Sequence, residues 1–513
     1  MTSRSHQPPE LYRPRTAFDL LRLPLVGRAL RWRYGRLLLQ LPLLTVALLL
    51  VYDGFTGPDR AAENLATVVP WVHYRGVVVL ALLLVGNLFC MGCPFTLPRT
   101  LARRLSKGGR RFPRALRNKW LAIAALFALF FLYEYLDMWA SPALTAWVII
   151  AYFVASFVLE AVFSESAFCK YVCPLGTFNF VYSTASPTQI TARDAAICRD
   201  CVGKECINGS YAQQTVIRLD QIPVQGGGTT EKRVEHGPRG TLGCGTELFV
   251  PQIRSNLDCT LCLDCARACP HDNVALAVRV PGRELVQPDA WPRRWDISLL
   301  VIGMAFMGVV NAFGMVPPVY DLMQDMAISL GLVAAGLSDA LTEFIVLGII
   351  FMGGSVLLPV AVALLAAEFT RAAAHGRQSR RDTVARFAPA FIPLGFGIWI
   401  AHYGFHFLIG ALTIVPVVQS FLIDHGITLL GATPDWSLGG LDEGGLVGLI
   451  QVVALMGGFL WSMVIAQRTA MRHYGRQAMP ALLPWALILL LLVAAAVWVF
   501  SQPMEMRGTI LFS

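Results

Sequence analysis

Long apolar stretches recur along this chain of 513 residues and are separated by segments that contain most of its charges. Only 15% of the residues are Asp, Glu, Lys or Arg, so several stretches have few enough charges, over enough residues, to cross a bilayer core of about 30 Å. Within lipid every backbone polar group must be hydrogen-bonded inside the protein, and helices achieve this. The sequence therefore predicts a mainly α fold, a polytopic transmembrane helical bundle.

The apolar stretches predict about nine membrane spans. Their expected positions are 37–53, 75–92, 120–137, 143–163, 296–316, 341–366, 387–411, 446–466 and 480–500. The segment 317–340 is also apolar but is interrupted by three aspartates, which makes it less suited to a span. We interpret it as an amphipathic segment at the outer interface, with a re-entrant hairpin as the alternative.

Basic and acidic segments alternate between the predicted spans. The basic segments are 1–36, 99–119, 371–386 and 468–476. The segments 317–343 and 413–445 contain Asp and Glu but neither Lys nor Arg. Because Lys and Arg are retained in cytoplasmic loops, this pattern predicts a bacterial inner membrane protein with its N-terminus inside. The net charge of +9 then follows from topology and from attraction to lipid, so no nucleic acid partner is expected.

A soluble domain is predicted at residues 184–293, because this stretch is richer in charge, Gly and Pro and is too polar to cross a membrane. It lies between a four-helix membrane region at 37–183 and a five-helix membrane region at 294–513. A basic cytoplasmic segment at 1–36 precedes these regions and lacks the apolar core of a cleavable signal peptide. By the charge pattern, the soluble domain is expected in the cytoplasm.

The soluble domain contains eight of the 12 cysteines of the chain. One run has the spacing by which bacterial ferredoxins hold a [4Fe-4S] cluster, and it reads Cys259-x2-Cys262-x2-Cys265-x3-Cys269-Pro270. The other cysteines of the domain are Cys198, Cys201, Cys206 and Cys244. A zinc site with four cysteines is the alternative for C-x2-C pairs, but zinc does not require the longer run. The domain is therefore predicted to have an α+β, two-cluster ferredoxin-like fold.

In two-cluster ferredoxins each run supplies three ligands to one cluster, and its fourth cysteine binds the other cluster. Applied here, this rule assigns to cluster one Cys198, Cys201, Cys206 and Cys269. It assigns to cluster two Cys259, Cys262, Cys265 and Cys244. Cytoplasmic thiols stay reduced, so iron ligation is favoured over structural disulfides.

Two further cysteine pairs, the Cys-Pro pairs, each end in proline where a predicted span reaches the cytoplasmic face. They are Cys90-x2-Cys93-Pro94 and Cys169-x3-Cys173-Pro174. If the two helices are neighbours, four thiolates converge beneath the soluble domain and can hold a further cluster or a single metal, or act as a dithiol. The alternative is a set of buried structural thiols, because free cysteine packs well as a small apolar residue.

These cysteine motifs resemble those of the polyferredoxin-like membrane proteins that include NapH, NosR and the oxidase assembly factor CcoG. The resemblance covers residues 75–280 and implies electron transfer at the cytoplasmic membrane, from or to the quinone pool or toward periplasmic metal centres. It also implies a metal or redox site at Cys90, Cys93, Cys169 and Cys173. The chain departs from the family in the spacing of the first pair and in the five predicted spans that follow the soluble domain.

Two histidines of the seventh predicted span, His402 and His406, are four residues apart and hence lie on one helix face. Ionisable groups inside a membrane are often functional. The pair can accept a proton from a quinol, ligate haem iron or bind copper, or it can consist of hydrogen-bonded packing residues. A haem would need a second ligand from another helix, and His73 is the candidate.

The sequence thus predicts a membrane electron-transfer protein that relays electrons through two [4Fe-4S] clusters, between a quinone or cytoplasmic donor and a membrane or periplasmic respiratory acceptor. Redox proteins and quinone are the expected partners, and the chain is a candidate component of a quinol-linked oxidoreductase. The alternative is an assembly factor that reduces or delivers copper or another metal for a respiratory oxidase or reductase. A third interpretation is a transporter with a regulatory iron-sulfur domain. Motifs for ATP, dinucleotides and covalent c-type haem are missing from the sequence.

Overall fold

The computed structural model describes residues 18–32, 34–98, 102, 110–163, 166–210, 241–287, 291–374, 378–439, 441 and 445–504. Within them the fold is mainly helical. We number the long helices α1 (Gly35–Thr56), α2 (Leu65–Leu84), α3 (Trp120–Tyr135), α4 (Pro142–Val162), α5 (Trp295–Phe313), α6 (Asp339–Ala373), α7 (Arg380–Ile409), α8 (Leu446–Tyr474) and α9 (Ala478–Phe500).

Seven stretches of the described chain are long and apolar enough to cross a membrane, as expected for a helical membrane protein. They are α1, α2, α4, α5, α6, α7 and the 55-residue stretch Leu446–Phe500. That last stretch contains two helices, α8 and α9, joined by a 3-10 turn at Gly475–Gln477. Helix α3 is apolar but has only 16 residues, fewer than the roughly 20 that a span normally needs. The number of about nine spans therefore stays a prediction.

The second long helix lies earlier in the sequence than the expected span at 75–92. It begins at Leu65, where the Asn64 side chain accepts a hydrogen bond from the Ala66 N–H, and it ends before Gly86, which has a φ of 123°. A separate short helix, Leu88–Gly92, follows it. Arg75, where the expected span begins, lies inside this helix with its guanidinium against the rings of Trp71 and Tyr133.

The two acidic segments contain short helices. Pro318–Ser329 has 12 residues and Ile414–Asp424 has 11. At a rise of about 1.5 Å per residue, neither is long enough to cross a bilayer core of about 30 Å. The first of these helices fits the interpretation of 317–340 as an interfacial segment.

Helix α7 lies at the centre of the described helices and packs against α2, α5 and α8. Its close contact with α8 depends on glycine, because a Cβ at Gly397 would lie 2.4 Å from the Ala454 carbonyl oxygen. A Cβ at Gly458 would likewise lie 2.6 Å from the Pro393 carbonyl oxygen. Small residues that let helix backbones approach are typical of membrane bundles.

The cysteine-rich segment contains a two-stranded antiparallel sheet. Strand β1 (Thr188–Ala192) pairs with β2 (Val274–Val278), with Ile190 opposite Leu276. The chain from Phe18 extends this sheet, because the Val278 N–H donates to the Phe18 carbonyl at 2.8 Å. The described part of the N-terminal basic segment therefore begins against the cysteine-rich segment.

A buried polar network joins this domain to the membrane helices. Arg279 forms an ion pair with Glu284, and both side chains are almost inaccessible to solvent. The Asn256 side chain donates to the carbonyl groups of Ser183 and Thr188 at 2.8 Å each. These bonds tie the loop before Cys259 to the chain that leaves the helix Pro174–Tyr182.

Candidate functional site

Four cysteines of the segment 184–293 line one cavity, and they are Cys198, Cys201, Cys206 and Cys269. Short helices position them. Cys198 lies in the helix Ala195–Asp200, Cys206 in the helix Glu205–Asn208, and Cys269 directly after the helix Asp264–Ala268. The structure thus brings the last cysteine of the long run to the three cysteines of the first group.

The other four cysteines of this segment line a second cavity, and they are Cys244, Cys259, Cys262 and Cys265. Cys244 is far in sequence from the first group, and the intervening insert lies largely outside the described residues. Its placement is nevertheless fixed, because the Cys244 N–H donates to the Cys206 carbonyl at 2.8 Å. Gly243 permits this approach, since a Cβ there would lie 1.9 Å from the Ile207 carbonyl oxygen. The two cavities match the crossed sets of cysteines that the ferredoxin rule assigns.

A zinc ion and an iron-sulfur cluster require different arrangements of four thiols. Among the described residues, no group of three or more His, Cys, Asp and Glu side chains is close enough together to hold a single metal ion. Zinc with four cysteines needs all four sulfurs at about 2.3 Å from one point. An iron-sulfur cube instead bonds each thiolate at a separate corner. Each cavity is lined by four cysteines, the number of thiolates that a cluster of this kind takes.

Hydrogen-bond donors point at the sulfurs of both cavities. Asn273 donates its side-chain amide to Cys198 Sγ at 3.1 Å and its backbone N–H to Cys269 Sγ at 3.4 Å. The Leu248 N–H donates to Cys244 Sγ at 3.4 Å. Such donors stabilise the negative charge of a bound thiolate and its cluster.

The backbone of the Cys259–Cys265 loop adopts an uncommon conformation. Leu261 and Leu263 have φ values of 53° and 59°, in the left-handed region that leucine rarely enters. Residues held in such conformations cluster at functional sites. Here they curl the loop so that the backbone N–H of Leu261 reaches Cys259 Sγ and lowers the pKa of that thiol, against a larger increase from burial.

Burial disfavours the thiolate form of Cys206 and Cys262. It raises the pKa of Cys206 to about 12 and the pKa of Cys262 to about 11. Metal ligation requires the thiolate, so a bound metal must displace these protons. Cys201 has a carboxylate neighbour, because its Sγ donates to Glu205 at 3.4 Å.

The two Cys-Pro pairs are brought together by the helix Pro174–Tyr182. At its start the Gly176 N–H donates to Cys173 Sγ at 3.2 Å, and one turn later Asn179 donates to Cys90 Sγ at 3.5 Å. Burial, followed by the nearby thiols of Cys90 and Cys173, raises the pKa of Cys93. Thiols from both pairs are therefore electrostatic neighbours.

Cys169 joins the same group of thiols. It lies in a π-helical turn, Phe168–Val172. Burial, then the Glu160 carboxylate, then the thiols of Cys173, Cys93 and Cys90 raise its pKa. All four Cys-Pro cysteines thus share one buried region, as the sequence predicts for neighbouring helices. Turns of π-helix inside proteins are often found at functional sites.

The second cavity lies directly against the Cys-Pro pairs. Asn87, just before Cys90, donates to the Cys259 carbonyl at 3.1 Å. On the other side, Lys170, next to Cys169, donates to the Thr246 carbonyl at 2.6 Å. The loops of both pairs therefore hold the cysteine loops of the second cavity.

A buried lysine reinforces this junction. Lys119 is only 1% exposed, forms an ion pair with Asp258 and donates to the Lys170 carbonyl at 2.6 Å. The sequence places Lys119 at the end of a basic loop, and nothing in its spacing distinguishes it from the exposed basic residues nearby. Its role is visible only once the folded chain brings Asp258 to it.

The first cavity faces solvent. Ile197 and Val202, on either side of Cys198 and Cys201, are 39% and 48% exposed. The corresponding residues of the second cavity, Leu261 and Leu263, are 6% and 2% exposed. The two cavities therefore differ in position, one at the surface and one next to the membrane helices.

His402 and His406 lie on one face of α7 with ring centroids 5.2 Å apart, and both are buried. His402 Nε2 lies 3.1 Å from the Met315 sulfur. His73 is placed elsewhere, with its ring nitrogens 3.2 Å and 3.4 Å from the carbonyl oxygens of Val68 and Ala411. The role of His73 as a second haem ligand therefore stays a prediction.

Arg75 is an intramembrane charge whose position the sequence does not reveal. Its guanidinium lies 4.5 Å, 4.2 Å and 5.1 Å from the ring centroids of Trp71, Tyr133 and Tyr403. Cation–π contacts of this kind stabilise a charge that is removed from water. The only sequence signal for this site is one arginine within an apolar stretch, which also fits a residue at the membrane surface.

Comparison of the chain with models of known protein families, with curated proteins and with solved structures finds no match.

Proposed function

We propose that this chain is a membrane electron-transfer protein that relays electrons through two [4Fe-4S] clusters. The donor is a quinone or a cytoplasmic carrier, and the acceptor is a membrane or periplasmic respiratory component. One observation carries this proposal. The eight cysteines of the soluble domain line two separate cavities, four to each, in the crossed pattern of two-cluster ferredoxins.

When bound, the two clusters supply one-electron carriers inside the protein. Residues of the chain determine the positions of the clusters and the stability of their reduced forms. Asn273 and Leu248 donate hydrogen bonds to ligand sulfurs, and Leu261 and Leu263 exclude water from the second cavity. Donors and burial are among the factors that set cluster potentials.

The positions of the cavities support an order for the relay. The first cavity is at the surface, where a soluble carrier can approach it. The second lies against the Cys-Pro pairs at the ends of the membrane helices. We infer that electrons move between solvent and membrane in the order first cavity, second cavity, Cys90/Cys93/Cys169/Cys173.

A pair of serine substitutions tests the crossed ligand sets. Cys265→Ser and Cys269→Ser alter neighbouring positions of the same run, but they line different cavities. We expect Cys269→Ser to remove the electron paramagnetic resonance signal of one cluster and Cys265→Ser to remove that of the other. Ala266→Ser is the matched control, since it adds a hydroxyl to the same helix without changing a ligand.

The contrary result is loss of the same signal in both variants. That outcome would mean that the run binds one cluster without crossing. If both variants kept both signals in full, neither Cys265 nor Cys269 would be a cluster ligand.

The charge pattern completes the proposal. Basic segments on one side of the predicted spans favour an inner membrane location with the soluble domain in the cytoplasm. The resemblance to polyferredoxin-like membrane proteins favours the same placement and function. The C-terminal helices then provide the route toward an outer acceptor.

A further inference from the structure

A group of histidine and methionine side chains lies in the C-terminal helices, remote in sequence from the cysteines. His402 and His406 project from α7, with their ring centroids 5.2 Å apart. Met315 follows the end of α5 and is 2% exposed, and its sulfur lies 3.1 Å from His402 Nε2. Met504 is buried in the same small hydrophobic cluster as Met315.

The distance between the two heteroatoms is short enough for both to bind one ion. A nitrogen at about 2.0 Å and a sulfur at about 2.3 Å from one metal ion stand roughly 3.5 to 3.7 Å apart at tetrahedral or trigonal angles. His402 Nε2 and Met315 Sδ are 3.1 Å apart, so a separation of about half an ångström would let both bind one ion. His406, one helical turn further along α7, is positioned to supply a second imidazole.

The charges around this site are already balanced. Glu134 accepts a hydrogen bond from Asn311 at 3.0 Å and lies beside Gly314, the residue before Met315. The guanidinium of Arg75 lies near Tyr403, which neighbours His402. The buried Glu134 and the half-buried Arg75 therefore offset each other in this part of the bundle. A monovalent ion is easier to accommodate here than a divalent one, because the cost of burying charge rises steeply with charge.

We propose that His402, His406 and Met315 form a Cu(I) site, with Met504 as a candidate fourth ligand. The choice of metal follows from the donor set, because thioether sulfur is a soft ligand that selects Cu(I), and imidazole binds copper well. Zinc sites instead use thiolate, imidazole and carboxylate. The site is separate from the cysteine cavities and does not depend on the proposed electron relay.

The test is copper binding to the full chain, purified anaerobically in detergent with its iron in place. Cu(I) is titrated in competition with a chromophoric chelator, and bound copper is counted per chain. The cysteines also bind Cu(I), so the measured quantity is the difference between the wild-type chain and Met315→Leu. We expect Met315→Leu to bind about one copper fewer, and His406→Gln to show the same loss.

Met304→Leu is the matched control, because Met304 is also fully buried and lies in α5 itself. It should bind as much copper as the wild-type chain. Iron and acid-labile sulfide are measured in each variant, which separates a lost copper site from a misfolded protein. The copper X-ray absorption spectra of the wild-type chain and Met315→Leu are also compared. Their difference should show both nitrogen and sulfur ligands.

The proposal is overturned if Met315→Leu binds as much copper as the wild-type chain and Met304→Leu. In that case the contact is an N–H···S hydrogen bond between packing residues. Absence of iron from every sample would count against the proposed function and leave the copper comparison intact, so the two failures can be told apart.

Discussion

At the scale of single residues, Lys119 links the membrane helices to the cysteine domain. Its ammonium pairs with Asp258, the residue before Cys259, and its backbone N–H donates to Asp296 at 2.8 Å. Burying an ammonium is costly unless it is paired, and removal of one partner leaves the other charge buried and uncompensated. The pair therefore holds the loop that begins the second cavity against the membrane helices.

Lys119→Met should destabilise the protein by about 3 kcal/mol, because it leaves the Asp258 carboxylate without its partner. Thermal unfolding of the full chain in detergent measures this effect as a lower midpoint. Arg60→Met is the matched control, since Arg60 pairs with Glu63 while 79% of its side chain is exposed. Exposed pairs contribute about 0 to 1 kcal/mol, so the control should unfold near the wild-type temperature. Equal midpoints for both variants would contradict a structural role for Lys119.

The cysteine sets are the part of the site that the sequence predicts in most detail, because ligation dictates their spacing. The run from Cys259 to Cys269 predicts a cluster-binding loop, and the crossing rule names the two sets that line the two cavities. Lys119 and Met315 could not be identified in this way. Lys119 contacts Asp258, and Met315 contacts His402. In each case the partner is more than 80 residues away in sequence, so only the folded chain brings the two side chains together.

At the scale of elements, apolar stretches predict helices well where a cap defines the end. The span expected at 143–163 is the helix Pro142–Val162, which begins with Pro at its first position and a hydrogen bond from the Leu144 N–H to the Ser141 side chain. The sequence predicts the bounds of the second long helix, α2, less well. Its start contains the π-helical segment Val69–Tyr74, and Arg75 inside it resembles a residue at the membrane surface.

Close packing of α7 against α8 provides a test at this scale. Gly397→Ala should destabilise the bundle, because the new Cβ would lie 2.4 Å from the Ala454 carbonyl oxygen and the helices would have to separate. Gly404→Ala in the same helix meets no atom within 4 Å, and it should be neutral or stabilising by up to about 1 kcal/mol through helix propensity. Unfolding midpoints in detergent compare the two. The same decrease in both variants would show that helix packing here does not depend on Gly397.

At the scale of the whole molecule, the cysteine groups and the long helices form one continuous structure. The helix Pro174–Tyr182 begins at Cys173 and carries Phe178, whose ring centroid lies 5.4 Å from that of Trp399 in α7. Trp399 in turn neighbours His402, at 6.4 Å between ring centroids. Aromatic side chains thus connect the Cys-Pro pairs to the histidine pair across the interior of the bundle.

The sequence indicates the two ends of this arrangement but not their connection. Cysteine spacing points to metal groups in the soluble domain, and the histidine spacing points to one face of a helix. The packing that joins them depends on which helices become neighbours, and apolar composition is nearly the same for every helix. Gly397 and Gly458 determine one such contact only through the shape of the opposing backbone.

Metal analysis of the full chain tests the electron relay most directly. The protein is purified anaerobically in detergent, iron and acid-labile sulfide are counted per chain, and electron paramagnetic resonance spectra are recorded after reduction with dithionite. We expect about eight irons with matching sulfide and two interacting [4Fe-4S] signals, or about twelve irons if the Cys-Pro pairs hold a third cluster. Zinc with negligible labile sulfide would contradict the relay and favour a structural role for the cysteines.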